Sequence, residues 1–211
     1  MTEYDNEPVP GLPGLLPPGE RILWQGAPDW RRLARSAFHT RGIAVYFAAL
    51  TAIALALASS SGSYVGVGMT AALGTAAVAL LHLLAWGSAR TTIYTLTNRR
   101  IVLRIGMAVP KCINLPLTML ASVDLAARAD ATGDLSLTLL GVPRLGYLAL
   151  WPHARPLRIT RPQPMLRAVP EAASVAAMVA RACLAANPSG SLGTVDQPAA
   201  AMPAFAEAQA A

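Results

Sequence analysis

Between Gly42 and Ala89 the chain has not one Asp, Glu, Lys or Arg. That absence excludes an ordinary soluble helix pair, because core helices of such length keep a charged outer face. The stretch opens with Ile43-Ala-Val-Tyr-Phe-Ala-Ala-Leu50 and closes with Leu80-Leu-His-Leu-Leu-Ala-Trp86, and it breaks once, at Ser59-Ser-Ser-Gly-Ser63. About 18 helical residues rise roughly 27 Å, close to the hydrocarbon thickness of a bilayer. Residues 42–59 and 64–86 therefore predict a two-helix transmembrane hairpin. Charge is scarce overall as well: charged residues are 13% of the chain, about half the share of a soluble domain.

Acid is missing over a still longer range, from Trp30 to Val123, while Arg31, Arg32, Arg35, Arg41, Arg90, Arg99, Arg100, Arg104 and Lys111 flank the hairpin. Cations close to spanning helices mark the cytoplasmic side, and the connecting turn has none. The expectation is a multi-pass protein of the inner (cytoplasmic) membrane with both termini in the cytoplasm. Trp30, Arg31, Arg32, Arg35, Arg41, Arg90, Arg99 and Arg100 are the candidate contacts to an anionic lipid surface. The first apolar segment begins too late for a cleaved secretory signal. Cys112 and Cys183 are far apart on the reducing side, so no disulfide is expected. His39, His82 and His153 are scattered without metal-ligand spacing, and no glycine loop suits a phosphate. No catalytic residue, metal or cofactor is expected. Nucleic acid is not expected either, since aromatics do not interleave with the basic residues.

What is present divides the chain. Residues 1–18 combine acid with five prolines and predict an extended tail. Residues 19–41 read as a strand, Gly19–Gly26, followed by an interfacial helix, Trp30–Arg41, with Trp30, Leu33, Ala34, Ala37 and Phe38 on one face. After the hairpin (42–89), short β runs recur about every ten residues: Thr91–Leu96 and Arg100–Arg104 around an Asn98 turn, then Cys112–Leu115, Ala121–Leu125, Leu135–Leu140, Gly146–Trp151 and Leu157–Thr160. Pro170-Glu171 opens a helix over Ala172–Ala186, with Val175, Met178, Val179, Ala182 and Cys183 on one face. The fold class is thus an α+β membrane protein. A small antiparallel β sandwich or barrel over 90–186, closed by a C-terminal helix, hangs on the hairpin. Residues 187–211 carry no periodicity and predict a disordered tail.

Two features of the hairpin suggest contacts. Small residues recur at every fourth position, at Ala48, Ala52 and Ala56 in the first span and at Gly66, Thr70 and Gly74 in the second, where they allow close helix packing. His82 is the single ionisable residue of the spans. An imidazole there can ligate the metal of a bound pigment, or form hydrogen bonds near the membrane interface, one turn before Trp86.

Tyr94-Thr-Leu-Thr-Asn-Arg-Arg-Ile101, Arg104-Ile-Gly106 and Ile113-Asn-Leu-Pro-Leu117 resemble the bacterial pleckstrin-homology pattern that follows membrane hairpins. Pro18-Gly-Glu20 and Trp24-Gln-Gly-Ala-Pro28 resemble the strand that precedes the hairpin in those proteins. A narrower resemblance rests on Leu150-Trp-Pro-His-Ala-Arg-Pro156, Arg161-Pro-Gln-Pro-Met-Leu-Arg167, Pro10-Gly-Leu-Pro-Gly14 and Trp24–Trp30. These segments resemble the photosynthetic-complex assembly proteins of purple and related phototrophic bacteria. The resemblance covers residues 8–185 and implies a membrane-bound, non-enzymatic factor that helps build the reaction centre and its core antenna. Reaction-centre or core antenna subunits, or other assembly factors, are the implied partners, and a homo-oligomer stays open. The runner-up function is a lipid-sensing or envelope-stress module of the same fold.

Trp151, His153, Arg155, Arg158, Arg161, Met165 and Arg167 stand among four prolines in this narrower segment. Arginine, tryptophan and methionine on a poorly paired segment have the composition of an interface hot spot, so these seven are the candidate partner contacts. The competing reading is a Trp151 that fills the β core among solvated arginines.

Overall fold

The computed structural model describes residues 9–107, 109–141 and 146–187. The acidic start of the proline-rich tail and nearly all of the expected disordered tail fall outside the described residues. Two β sheets form the domain. The first has strand order β1 (Ile22–Gly26), β2 (Ile93–Thr97), β3 (Arg100–Ile105) and β4 (Lys111–Pro116), and the second has β5 (Leu120–Ala127), β6 (Gly133–Leu139) and β7 (Met165–Val169). Every pairing is antiparallel. Three helices, α1 (Trp30–Ser36), α2 (Thr40–Ser61) and α3 (Val65–Thr91), stand between β1 and β2. The strand expected at 19–26 is therefore part of the β domain, and the hairpin is an insertion between two paired strands. This corrects a domain that starts at residue 90.

The hairpin forms as its composition requires. Gly62 ends α2 in the left-handed conformation (φ 71°) and its N–H donates to the Ala58 carbonyl at 2.8 Å, a glycine role at helix ends. Only 6% of the most apolar 18 residues of either helix is buried, so the apolar side chains have no protein core to fill and face lipid. At 27 residues, α3 is about 40 Å long and outruns the bilayer. Its last turns (Ala85, Ser88, Ala89) are buried against Leu33, Ala34, Ala37 and Phe38 of the α1 region. The single interfacial helix expected over 30–41 is in fact broken. The Asp29 carboxylate caps α1, accepting from the Arg31 and Arg32 N–H groups at 2.8 and 3.2 Å. His39 then takes a left-handed turn (φ 51°) that redirects the chain into α2.

The core between the sheets joins Tyr94, Leu96, Ile101, Leu103, Leu115, Leu135, Leu137 and Leu166 to one face of α5 (Ala172–Ala186), where Val175, Val179, Ala182 and Cys183 are buried. Burial raises the Cys183 thiol to about 11 and leaves it unreactive. Two expected strands are absent. Residues 146–151 contain α4 (Tyr147–Leu150), since Leu and Ala favour a helical turn and Pro152 ends it. Leu157–Thr160 is an exposed loop between Pro156 and Pro162. One strand that the proline pattern concealed is β7. It lies at a sheet edge, directly after Pro164, where a missing donor costs nothing.

Candidate functional site

The segments that carry the resemblance meet one another in space. Glu20 accepts from the Thr97 hydroxyl at 2.8 Å and from Arg100 Nε and Nη2 at 2.9 and 3.1 Å. Asn98 accepts from the Arg21 N–H at 2.9 Å and donates to the Gly19 carbonyl at 3.0 Å. Arg99 donates to the Pro18 carbonyl at 3.4 Å. Burial pushes the Glu20 carboxyl up, but the hydrogen bonds from Arg100 and Thr97 and the charges of Arg100 and Arg99 outweigh it and hold it below the usual range. Thus Pro18-Gly-Glu20 and Thr97-Asn-Arg-Arg100 form a clamp that fixes β1 to the β2–β3 turn. Arg99 and Arg100 are corrected from membrane contacts to clamp residues, separated from the end of α3 by the length of β2, about 17 Å.

The second meeting point lies where α3 leaves the membrane. The Thr92 hydroxyl donates to the Ser88 carbonyl at 2.7 Å, so toward His153 Nε2, 3.0 Å away, it accepts. His153 Nδ1 then holds the lone pair and accepts from the Tyr94 hydroxyl at 2.7 Å. The Tyr94 oxygen in turn accepts from the Arg167 N–H at 3.1 Å. Every proton in this chain has one direction, which requires a neutral imidazole. Burial above all, and then the Arg167 charge, push the His153 pKa down to about 3. Burial also raises Tyr94 and keeps it a phenol. Next to this seam the Asp134 carboxylate accepts from the Ala168 N–H at 2.8 Å and from Arg128 at 3.3 Å. Burial lowers Arg167, with the charges of Asp134, Tyr94 and Tyr147 acting against it.

These contacts split the seven candidate partner residues. His153, Met165 and Arg167 are buried and cannot form an accessible surface, which corrects their assignment. Arg155 is half-buried and donates to Asp124 at 3.0 Å and to Gln163 at 3.1 Å, so it holds the base of a loop. Trp151, Arg158 and Arg161 are exposed. Trp151 packs edge-to-face on Phe38 with ring centroids 5.2 Å apart; it is a surface residue and does not fill the β core. Sequence reasoning missed Tyr94, the hub of the seam, whose partners lie 59 and 73 residues away.

The membrane collar is smaller than expected. Arg32 pairs with Asp130. Arg31 stacks on Trp30 and Arg90 on Trp86, each guanidinium 5.3 Å from the ring, and Arg35 and Arg41 are exposed. His82 sits in the α1–α3 seam, edge-on to Trp30 at 6.5 Å, with Nδ1 donating to the Val78 carbonyl at 2.8 Å. An i−4 bond of this kind fixes the tautomer, with Nε2 as the acceptor nitrogen of the ring. Of the small residues, Gly74 lets α2 approach: a Cβ there would lie 2.6 Å from Phe47 Cβ. Together with Gly74, Ala48, Ala52 and Thr70 line an apolar groove of about 730 Å³ between the helices. Ala56 and Gly66 are exposed, so neither serves in helix packing.

The bacterial PH domain family matches residues 39–182 of this chain. A protein of Rhodobacter capsulatus, described as an uncharacterized 23.7 kDa protein in the puhA 5′ region, is 40% identical over 198 residues, which is 87% of this chain and 88% of that protein. No solved structure matches the chain.

Proposed function

This chain is a member of the bacterial PH domain family, and from that premise we propose that it is a non-enzymatic, membrane-bound assembly factor for the bacterial photosynthetic reaction centre and its core light-harvesting complex. The observation that carries the reading is the relative matched along nearly its whole length, whose gene is described as lying 5′ of puhA, a photosynthesis-operon setting. A hairpin of this length in the inner membrane would stand beside the spanning subunits that such a factor helps to assemble. The arginine collar and the uncharged turn support a topology with both chain ends and the β domain on the cytoplasmic side. Partner contact falls to the exposed flank that carries Trp151, Arg158 and Arg161, where desolvated aromatic and arginine side chains supply most of the energy at protein interfaces.

The test uses a phototrophic bacterium that makes this protein. Deleting its gene lowers the membrane content of assembled reaction centre–antenna complex several-fold, read from near-infrared absorbance, while free pigment stays at its normal level. Arg158→Ala combined with Arg161→Ala reproduces part of that loss at normal abundance of the protein, because exposed charges add little stability. A deletion strain with normal complex content overturns the assembly role.

A further inference from the structure

His82 has one ring nitrogen in use and one to spare. Its Nδ1 donates to the Val78 carbonyl at 2.8 Å, so Nε2 carries the lone pair of the ring. Among the described residues nothing donates a hydrogen bond to that nitrogen, and the Trp30 ring stands edge-on with its centroid 6.5 Å away. An N–H held on a backbone carbonyl is the arrangement that orients a histidine and fixes its tautomer for metal binding. No further ligand is at hand, since the described residues contain no group of His, Cys, Asp and Glu that could hold an ion. One imidazole therefore does not suit a free cation. It suits a metal already seated in a macrocycle, whose own nitrogens fill the equatorial positions and leave an axial site to the protein.

The surroundings of His82 show what the rest of that ligand is like. Val78 and Ala79 line the groove between α2 and α3, and His82 follows them by one turn on the same face of α3. Gly74 meets Phe47 across the groove, so in this antiparallel pair Ala44 is level with Val78. His82 thus stands at the mouth of the groove nearest the β domain. From there the groove runs along α2 from Ala44 to Leu55, about 17 Å at the helical rise. Its hydroxyls, at Thr51, Thr70 and Thr75, are turned onto the carbonyls of their own helices. Such a lining suits a long hydrocarbon chain and meets no need of a polar group. A donor nitrogen at the mouth and an apolar channel behind it fit one molecule, a metal-bearing ring with a hydrocarbon tail.

We infer that His82 and the α2–α3 groove form one binding site for a tailed metallotetrapyrrole of the chlorophyll class. Nε2 is the axial ligand of the ring metal, the macrocycle lies beside Trp30, and the tail runs down the groove past Ala48 and Ala52. The site is separate from the exposed flank given to partner contact, and it gives the spans a task besides anchoring.

The test uses the full chain, purified in detergent on an affinity tag, with bacteriochlorophyll a, tail-free bacteriochlorophyllide a and haem b as probes. Pigment kept by the protein after washing is read from absorbance, and its fixed seat from induced circular dichroism. The chain is expected to keep bacteriochlorophyll a, and His82→Phe to weaken that binding by about tenfold or more, the equivalent of a ligand bond worth at least 1.4 kcal/mol. In His82→Gly, added imidazole is expected to restore binding, which it cannot do for a chain that has lost its fold. Ala52→Leu fills the groove and is expected to weaken bacteriochlorophyll a by about threefold or more, from the few methylenes it displaces, while bacteriochlorophyllide a is unaffected. Equal retention by His82→Phe, or no recovery with imidazole, overturns the ligation. Equal retention of bacteriochlorophyll a by Ala52→Leu, or a preference for haem b, overturns the tailed ligand. Because complex assembly is not read out, failure here leaves the assembly role standing.

Discussion

The hairpin and the seam beneath it are joined at Thr92, yet they are held together by opposite means. Between α2 and α3 the contact is apolar and incompletely filled, with a groove of about 730 Å³ beside one close approach at Gly74. The hydroxyls along the groove turn back onto their own helices, Thr51 to the Phe47 carbonyl, Thr70 to Gly66 and Thr75 to Ala71. These three hydroxyls thus do not fix the register of one span against the other, and lipid offers no hydrophobic drive to close the gap. At the seam, in contrast, Ser88, Thr92, His153, Tyr94 and Arg167 pass hydrogen bonds along one defined path without access to water. The difference assigns rigidity: the domain is locked to the end of α3, while the spans keep freedom to adjust.

The largest effect that would break this comparison is at Tyr94. Tyr94→Phe leaves the Arg167 N–H and His153 Nδ1 buried without partners and is expected to cost about 3 kcal/mol, from roughly 1–3 kcal/mol per orphaned group, read from unfolding in mixed micelles. An unchanged midpoint would move the lock elsewhere.

Next in size is a pH effect. His153 titrates near 6.5 in the unfolded chain and about 3 in the fold, so between these values the unfolded state binds the extra proton. Stability is therefore complete above the unfolded value and declines as pH falls toward the folded one, by about 2 kcal/mol at pH 5. The depressed carboxyl of Glu20 does not confuse this window, since its contribution is lost only below the ordinary carboxylate range. The slope between pH 7 and pH 5 should flatten in His153→Gln; a slope that persists would reassign the titration.

The smallest effects sharpen the contrast inside the hairpin. Gly74→Ala must push Phe47 aside and is expected to cost about 1 kcal/mol as overpacking. Ala52→Leu projects into the groove and should change stability by less than about 0.5 kcal/mol. Equal costs at the two positions would mean that the groove closes in the bilayer.

Sequence legibility followed the range of the contacts. The hairpin was legible because 48 consecutive residues without charge leave a helix few other homes, and α5 because its buried face repeats within fifteen residues. The β2–β3 hairpin was announced by its own turn. What escaped was set at long range. His153 and Arg167 have the composition of a surface, and the groups they meet once buried, Thr92 and Tyr94 at the His153 ring and the Asp134 charge near Arg167, stand far away in the chain. Arg100 looked like a headgroup contact because its acid partner, Glu20, stands on the other side of the hairpin. In the candidate partner segment, residue type could not separate the exposed Arg158 and Arg161 from the buried His153, Met165 and Arg167.

The pairing of β1 with β2 has a consequence for how the protein is made. Residues Ile22–Gly26 leave the ribosome well before their partners Tyr94–Thr97, and both spans are synthesised between them. The first sheet can close only when the two ends of the insertion stand on the same side of the bilayer. A chain with one span inserted and the other left out, or threaded three ways, keeps β1 and β2 on opposite sides and has no edge to join. Completion of the first sheet thus depends on the insertion: the ladder forms, and the Glu20 clamp engages, only where both ends of the hairpin stand on one side of the bilayer.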